Sequence, residues 1–178
     1  MIKTLLTYLL LGISLLTPTS GSRSEVEVII RSYFVNETRL DFMRYDIPEE
    51  VKLDIEKKTG QKFFKNFLYI WKVYSDDEFI ATAVIDNVYG KLQPITFLVI
   101  VNSKGEVIAS EIIKYREPYG GQIANKNWLK QFEGKNYSSA YSVGDDISTI
   151  SGATISVNSI TKGIRKITML INSIGKDL

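Results

Sequence analysis

Four stretches rich in aromatic and β-branched residues, 67–74, 79–88, 95–101 and 107–115, follow one another with only short polar turns between them. Turns such as Ser75-Asp76-Asp77 and Asn102-Ser103-Lys104-Gly105 leave no room for a crossover helix, so the strands run antiparallel as a four-strand meander. Residues 95–101 are nearly all apolar, which places that strand inside the sheet, and Gly105 supplies the positive φ its hairpin needs. Ahead of the strands, Ser24 and Glu27 read as a capping box opening a helix to about Met43. Pro48-Glu49-Glu50 opens a second helix that Gly60 closes after two lysines. Behind the strands, residues 123–132 read as a short helix ended by Gly134. A last helix follows Ser151-Gly152-Ala153-Thr154, with Ile155, Ile160, Ile164, Ile167, Leu170, Ile171 and Ile174 as its apolar face. The expected fold is α+β: an antiparallel meander sheet with N-terminal helices, a short helix after the sheet and a C-terminal helix following the Ser-Gly-Ala-Thr turn.

Composition narrows the chemistry. The 178 residues include no cysteine and no histidine, which removes thiolate and Cys/His zinc sites, cysteine-ligated iron–sulfur clusters, c-type haem attachment and imidazole catalysis. A net charge of +2 gives no electrostatic case for nucleic acid. The aromatics Phe67, Tyr69, Trp71 and Tyr74 lack an interleaved basic groove and read as core or edge packing, not as a stacking platform for bases. Met1-Ile2-Lys3, an apolar run of about twelve residues and then Pro18-Thr19-Ser20-Gly21-Ser22 follow the basic–apolar–small order of a secretory signal peptide. The run is short of the roughly 20 residues a spanning helix needs. Residues 1–21 are therefore read as a signal peptide or an uncleaved anchor. Residues 22–64 are read as a helical segment forming one globular unit with 65–178.

Two segments couple glycine to a polar turn. In residues 145–159, Ser151, Gly152, Ala153 and Thr154 feed a helix N-terminus, whose free amides and dipole favour an anion such as a phosphate. Plain capping by Ser and Thr accounts for the same residues without a ligand. In residues 116–122, Glu117-Pro118-Tyr119-Gly120-Gly121 is a tight turn between strand and helix. Trp128 reads as helix packing, and Lys162, Arg165 and Lys166 read as a solvated helix face.

Ser151-Gly152-Ala153-Thr154-Ile155-Ser156, preceded by Asp146-Ile147 and Thr149-Ile150, resembles the signature of the FMN-binding domain family. That family includes the periplasmic flavin-carrying subunits of sodium-pumping NADH:quinone oxidoreductase and of ion-translocating ferredoxin:NAD oxidoreductase. The resemblance extends through Asp86-Asn87-Val88-Tyr89-Gly90-Lys91, Tyr115-Arg116-Glu117-Pro118-Tyr119-Gly120-Gly121 and Gln131-Phe132-Glu133-Gly134-Lys135. It implies that Thr154 accepts FMN in phosphoester linkage from a flavin transferase that uses FAD, with Ser151, Gly152 and Ala153 around it. It also implies that Glu117, Tyr119 and Gly120 face the cofactor. Family members often carry Asp six residues before the acceptor, where this chain has Ser148, with Asp145 and Asp146 out of register. That departure leaves non-covalent FMN open.

The resemblance implies an exported FMN-carrying electron-transfer protein at the periplasmic or outer face of the cytoplasmic membrane, an electron carrier before a stand-alone enzyme. No catalytic side chain and no metal ligand is expected. The partners would be the flavin transferase and a membrane or exported redox protein. The alternatives are a non-covalent flavin-binding sensory or structural module, an exported FMN-dependent reductase, and a helix cap with no flavin.

Overall fold

Alternation of apolar and polar residues, interrupted by turns of a few residues, builds the sheet. The computed structural model describes residues 22–36 and 38–175. Its strands are Arg39–Asp46 (β1), Phe67–Ser75 (β2), Glu78–Tyr89 (β3), Pro94–Asn102 (β4) and Val107–Lys114 (β5). Each pairs antiparallel with the next, in the order β1-β2-β3-β4-β5. Asp76 (φ 47°) and Asp77 (φ 62°) carry the left-handed turn between β2 and β3. Asn102 accepts hydrogen bonds from the Lys104 and Glu106 amides (2.9 and 3.0 Å) to shape the turn into β5. The expected α+β meander is present, with a fifth strand.

That fifth strand corrects the first helix. Helix α1 is Arg23–Arg31, capped two residues earlier than expected by the pair Ser22 and Glu25. Glu27 is turned away from a capping role because it accepts hydrogen bonds from Arg23 (2.7 Å) and from Trp71 Nε1 (3.0 Å). Beyond it, Arg39–Asp46 exposes every second residue or so, and this near period of two fits the free edge of β2 better than a helix. Phe42 meets the Tyr69 and Trp71 rings at 5.5 and 5.0 Å. Arg23, Arg39 and Arg44 lie about 4 Å above Phe42, Tyr74 and Phe67. The strand aromatics thus belong to packing, as expected, although cations do cover them. Arg39 pairs with Asp41 and Arg44 with Asp46, so the sheet edge is charged and balanced.

Helix α2, Glu49–Thr59, ends at Gly60 (φ 62°) as expected. After β5 the expected single helix is broken into a 3-10 turn, Gly121–Ala124, a short helix α3, Lys126–Leu129, and a second 3-10 turn, Lys130–Phe132. Asn125 causes the break: its backbone is extended and its side chain caps the Asn127 amide at 2.8 Å, restarting the helix. Trp128 packs as expected, edge-on to Phe132 at 5.3 Å, and donates from Nε1 to Ser148 O at 2.8 Å. The C-terminal helix α4 is Thr154–Ile174. Helices α2 and α4 bury one face of the sheet around Ile70, Val84, Val88, Phe97 and Val99. Val26 and Ile30 of α1 cover the other around Trp71, Val73, Leu98 and Ile100. The leader expected at residues 1–21 lies outside the described residues.

Two residues of α4 depart from expectation. Ile155 is 48 % exposed and leaves the apolar stripe formed by Ile160, Ile164, Ile167 and Leu170. Lys166, read as solvated, is wholly buried, because it lies three residues from Gly163 on the inward side of the helix. A Cβ on Gly163 would come within 2.7 Å of Val88 and 2.9 Å of Phe97, so glycine lets α4 approach the sheet closely. There Lys166 Nζ stands 2.7 Å from Asp86 Oδ2 of β3, donates to Lys62 O at 2.9 Å and lies 4.3 Å from the Phe63 ring centre. Lys162 is exposed and Arg165 is half-buried.

Burial pushes the Asp86 carboxyl up, and Lys166 opposes that push. Removing one member of such a pair strands a charge in the core. Lys166→Met should therefore cost about 3–5 kcal/mol at neutral pH in urea unfolding, and adding Asp86→Asn should restore a large part. The sign with pH follows: an Asp with a raised folded pKa carries no penalty below its ordinary 3.8 and a growing one above it. The loss in Lys166→Met should shrink as the pH is lowered toward that value.

Candidate functional site

The N-terminus of α4 begins at a turn only glycine makes without strain. Gly152 has φ 75°, and a Cβ there would meet nothing within 4 Å, so the residue serves the turn. The N-cap is Ala153, which offers no side-chain hydrogen bond, and the helical ladder starts with the Val157 amide on Ala153 O at 2.9 Å. Capping by Ser or Thr is therefore not the role of this motif. Ser151 and Thr154 are both exposed, and the leading amides of a 21-residue helix have no side-chain acceptor from the cap position.

Residues 115–121 lie directly against this turn. Gly120 (φ 82°) passes so close to Ala153 that a Cβ would come within 2.8 Å of the alanine methyl and 2.9 Å of the Tyr115 hydroxyl. Ala153 is 4 % exposed, so its small size serves this contact instead of opening the backbone to a ligand. Tyr115 donates its hydroxyl hydrogen to Tyr119 O at 2.6 Å, and the same oxygen is 3.4 Å from Ser156 Oγ on α4. Glu117 reaches the other way. Its Oε1 accepts from the Leu92 and Gln93 amides at 2.7 and 3.0 Å, in the turn between β3 and β4. A Cβ on Gly90 would fall 2.2 Å from that oxygen, so glycine makes room for the carboxylate.

Three separate segments thus converge on one cavity of about 380 Å³. Lys91 and Leu92 form one wall, Glu117, Pro118 and Tyr119 a second, and residues 152–156 a third. Of the large exposed apolar residues, Leu92, Tyr119 and Ile155 all stand here, at 66, 80 and 48 % exposure. Apolar side chains around a concavity, with a few polar groups, are the usual make-up of a small-molecule site. The cavity volume lies within the usual range for such sites. The exposed apolar groups suit a flat ring system, and the helix N-terminus suits a phosphate. The residues present therefore fit FMN.

Thr154, Gly152, Ala153, Glu117 and Tyr119 line the cavity; Gly120 lies behind them as a spacer and Ser151 is outside the lining. Lys91, Leu92 and Ile155 were not foreseen as site residues. Ile155 could have been found, because its position is out of step with the apolar stripe of α4. Leu92 is a lone apolar residue in a polar turn, a weaker signal. Ser148 is held at a distance from this cavity's lining, beside a second hollow with Gln122, Asn125, Trp128 and Gln131. Its amide donates to Gln131 Oε1 at 2.7 Å. Among the described residues, no cluster of three or more acidic side chains is arranged to hold a metal ion.

The Gln93 and Leu92 amides, in that order, hold the Glu117 carboxyl below its ordinary 4.5. The fold favours the ionised form, so its contribution is present above the ordinary range and is lost as pH falls through the lowered pKa. In an NMR titration the amide shifts of Leu92 and Gln93 should move together with a midpoint below 4.5. A midpoint at or above that value would show that the carboxylate is not held by this turn.

Residues 90–168 match the family model of the FMN-binding domain. The span opens at Gly90, contains all three converging segments and runs well into α4. No curated protein matches the chain. Among solved structures the chain is similar to the crystal structure of NqrC from Shewanella oneidensis, with a TM-score of 0.54 and 14% identity over 88% of this chain and 89% of that one. At that identity the likeness is one of fold. The segments that build the cavity, residues 91–92, 117–119 and 152–156, all lie within the span that the family model of the FMN-binding domain matches.

Proposed function

We propose that this chain is an exported electron carrier whose FMN is joined through its phosphate to Thr154 Oγ1. One observation carries the reading. Thr154 is exposed at the uncapped N-terminus of a long helix, on the wall of an apolar cavity, within the span matched by the FMN-binding domain. Attachment by a flavin transferase forms a bond from Thr154 Oγ1 to the FMN phosphorus of FAD. The bond from that phosphorus to the AMP oxygen breaks, AMP leaves and the hydroxyl proton passes to solvent or a base. The resulting diester keeps one negative charge, which the amides and dipole of α4 favour at this end. Lys91, on the facing turn, adds a cation to the same cavity.

FMN supplies the redox chemistry, and the protein supplies position and electrostatics. Leu92, Tyr119 and Ile155 give the ring apolar contact, while Tyr115, Gly120 and Ala153 hold the two turns in register. Without cysteine or histidine, the chain brings no cluster or haem ligand of those kinds, so electrons pass between the flavin and partner proteins. The basic, apolar and small-residue order of residues 1–21 supports export, with a membrane-bound or exported redox protein as partner. Ser148, where family members often have Asp, favours one second reading: FMN held in the same cavity without a covalent bond.

Intact mass after co-expression with a flavin transferase separates these readings. The chain should gain one FMN less one water, and Thr154→Ala should gain nothing while keeping its unfolding midpoint. Flavin that co-purifies without a mass gain would establish the non-covalent reading. Neither mass gain nor flavin, with a known acceptor modified in the same cells, would overturn the proposal.

A further inference from the structure

Glu117 is the one acid among the residues that line the cavity, and Lys91 is the one base. The two are held differently. Lys91 is an exposed side chain with no ion pair among the described residues, whereas Glu117 Oε1 is fixed by two backbone amides at 2.7 and 3.0 Å. Gly90 leaves the space in which that oxygen sits, since a Cβ there would stand 2.2 Å from it. The carboxylate is thus a preset charge, positioned by the chain's own backbone.

On the reading of the site given above, we propose that Glu117 sets the reduction potential of the bound flavin by holding it low. Reduction adds electrons to the ring, and a fixed anion on the wall of the same cavity raises the energy of the reduced form more than that of the oxidised form. Lys91 acts in the opposite sense, but as a solvated and flexible charge it offsets Glu117 only in part. The amides of Leu92 and Gln93 favour ionised Glu117, so the charge persists at neutral pH. Glu117 also clamps the turn between β3 and β4, and that structural role is separable from its charge. Glutamine at this position keeps an oxygen that accepts both amide hydrogens and loses only the negative charge.

The test is a dithionite titration, with mediator dyes, of the flavin-loaded protein and of Glu117→Gln. In its flavin-loaded fraction the variant should show a more positive midpoint than the parent. The expected change is on the order of tenfold in the reduction equilibrium, about 30 mV for a two-electron couple. An unchanged or more negative midpoint in fully loaded Glu117→Gln would overturn the assignment. Should that variant fail to load, Glu117→Ala takes its place: in its loaded fraction the midpoint should likewise be more positive, and an unchanged or more negative midpoint would overturn the assignment. A parent protein that takes up no FMN would overturn the proposed function itself, and this assignment with it. That outcome is seen before any potential is measured.

Discussion

The seating of α4 against the sheet decides where everything else in the site falls. The helix is held at its middle, where Gly163 admits Val88 and Phe97 and Lys166 meets Asp86 in the core. It is held again at its start, where Ala153 closes on Gly120. The first contact lets the helix lie close to β3 and β4; the second keys its N-terminus to the turn that follows β5. Thr154 is the next residue after the second contact. Its exposure follows from Ala153, and not Thr154, being the residue turned inward.

A chain of backbone-level contacts carries this order outward. Tyr115 links the Tyr119 carbonyl to Ser156, and Glu117 links the same turn to Leu92 and Gln93. Three segments distant in sequence thereby form the walls of one cavity, and each join uses a glycine where a Cβ would collide. Gly90 makes room for Glu117 and Gly120 makes room for Ala153. These glycines thus mark close approaches as well as turns. The charges left facing the cavity are few: one held carboxylate, one exposed ammonium and the positive end of a helix.

Much of the fold is legible in residues 67–115, because short turns dictate antiparallel neighbours and the strands alternate or run apolar. β1 was hidden by a local signal. Residues 24–43 contain a plausible cap and apolar spacing, and only the open edge of β2 with Phe42 against Trp71 turns their second half into a strand. Lys166 was hidden because a lysine on a helix is normally solvated; its buried partner lies eighty residues away in β3. In the site, Thr154, Gly152, Glu117 and Tyr119 were legible from their motifs and meet at one cavity. Ala153 was legible as a position but not as a role. Leu92 and Ile155 complete the apolar wall only once the turns are folded together, and nothing adjacent in sequence announces that. Ser148 stands apart from this wall, beside the hollow that Trp128 and Gln131 help to form.

On the proposed function, a flavin tethered at Thr154 occupies the cavity shared by these three segments. Amide hydrogen exchange of the flavin-loaded protein against the unloaded protein tests it directly. Loading should slow exchange together in residues 91–93, 117–120 and 154–156, and leave the β1–β2 edge as it was. Slowed exchange confined to 152–156, or centred on the hollow at Gln122 and Ser148, would place the flavin elsewhere and contradict the account.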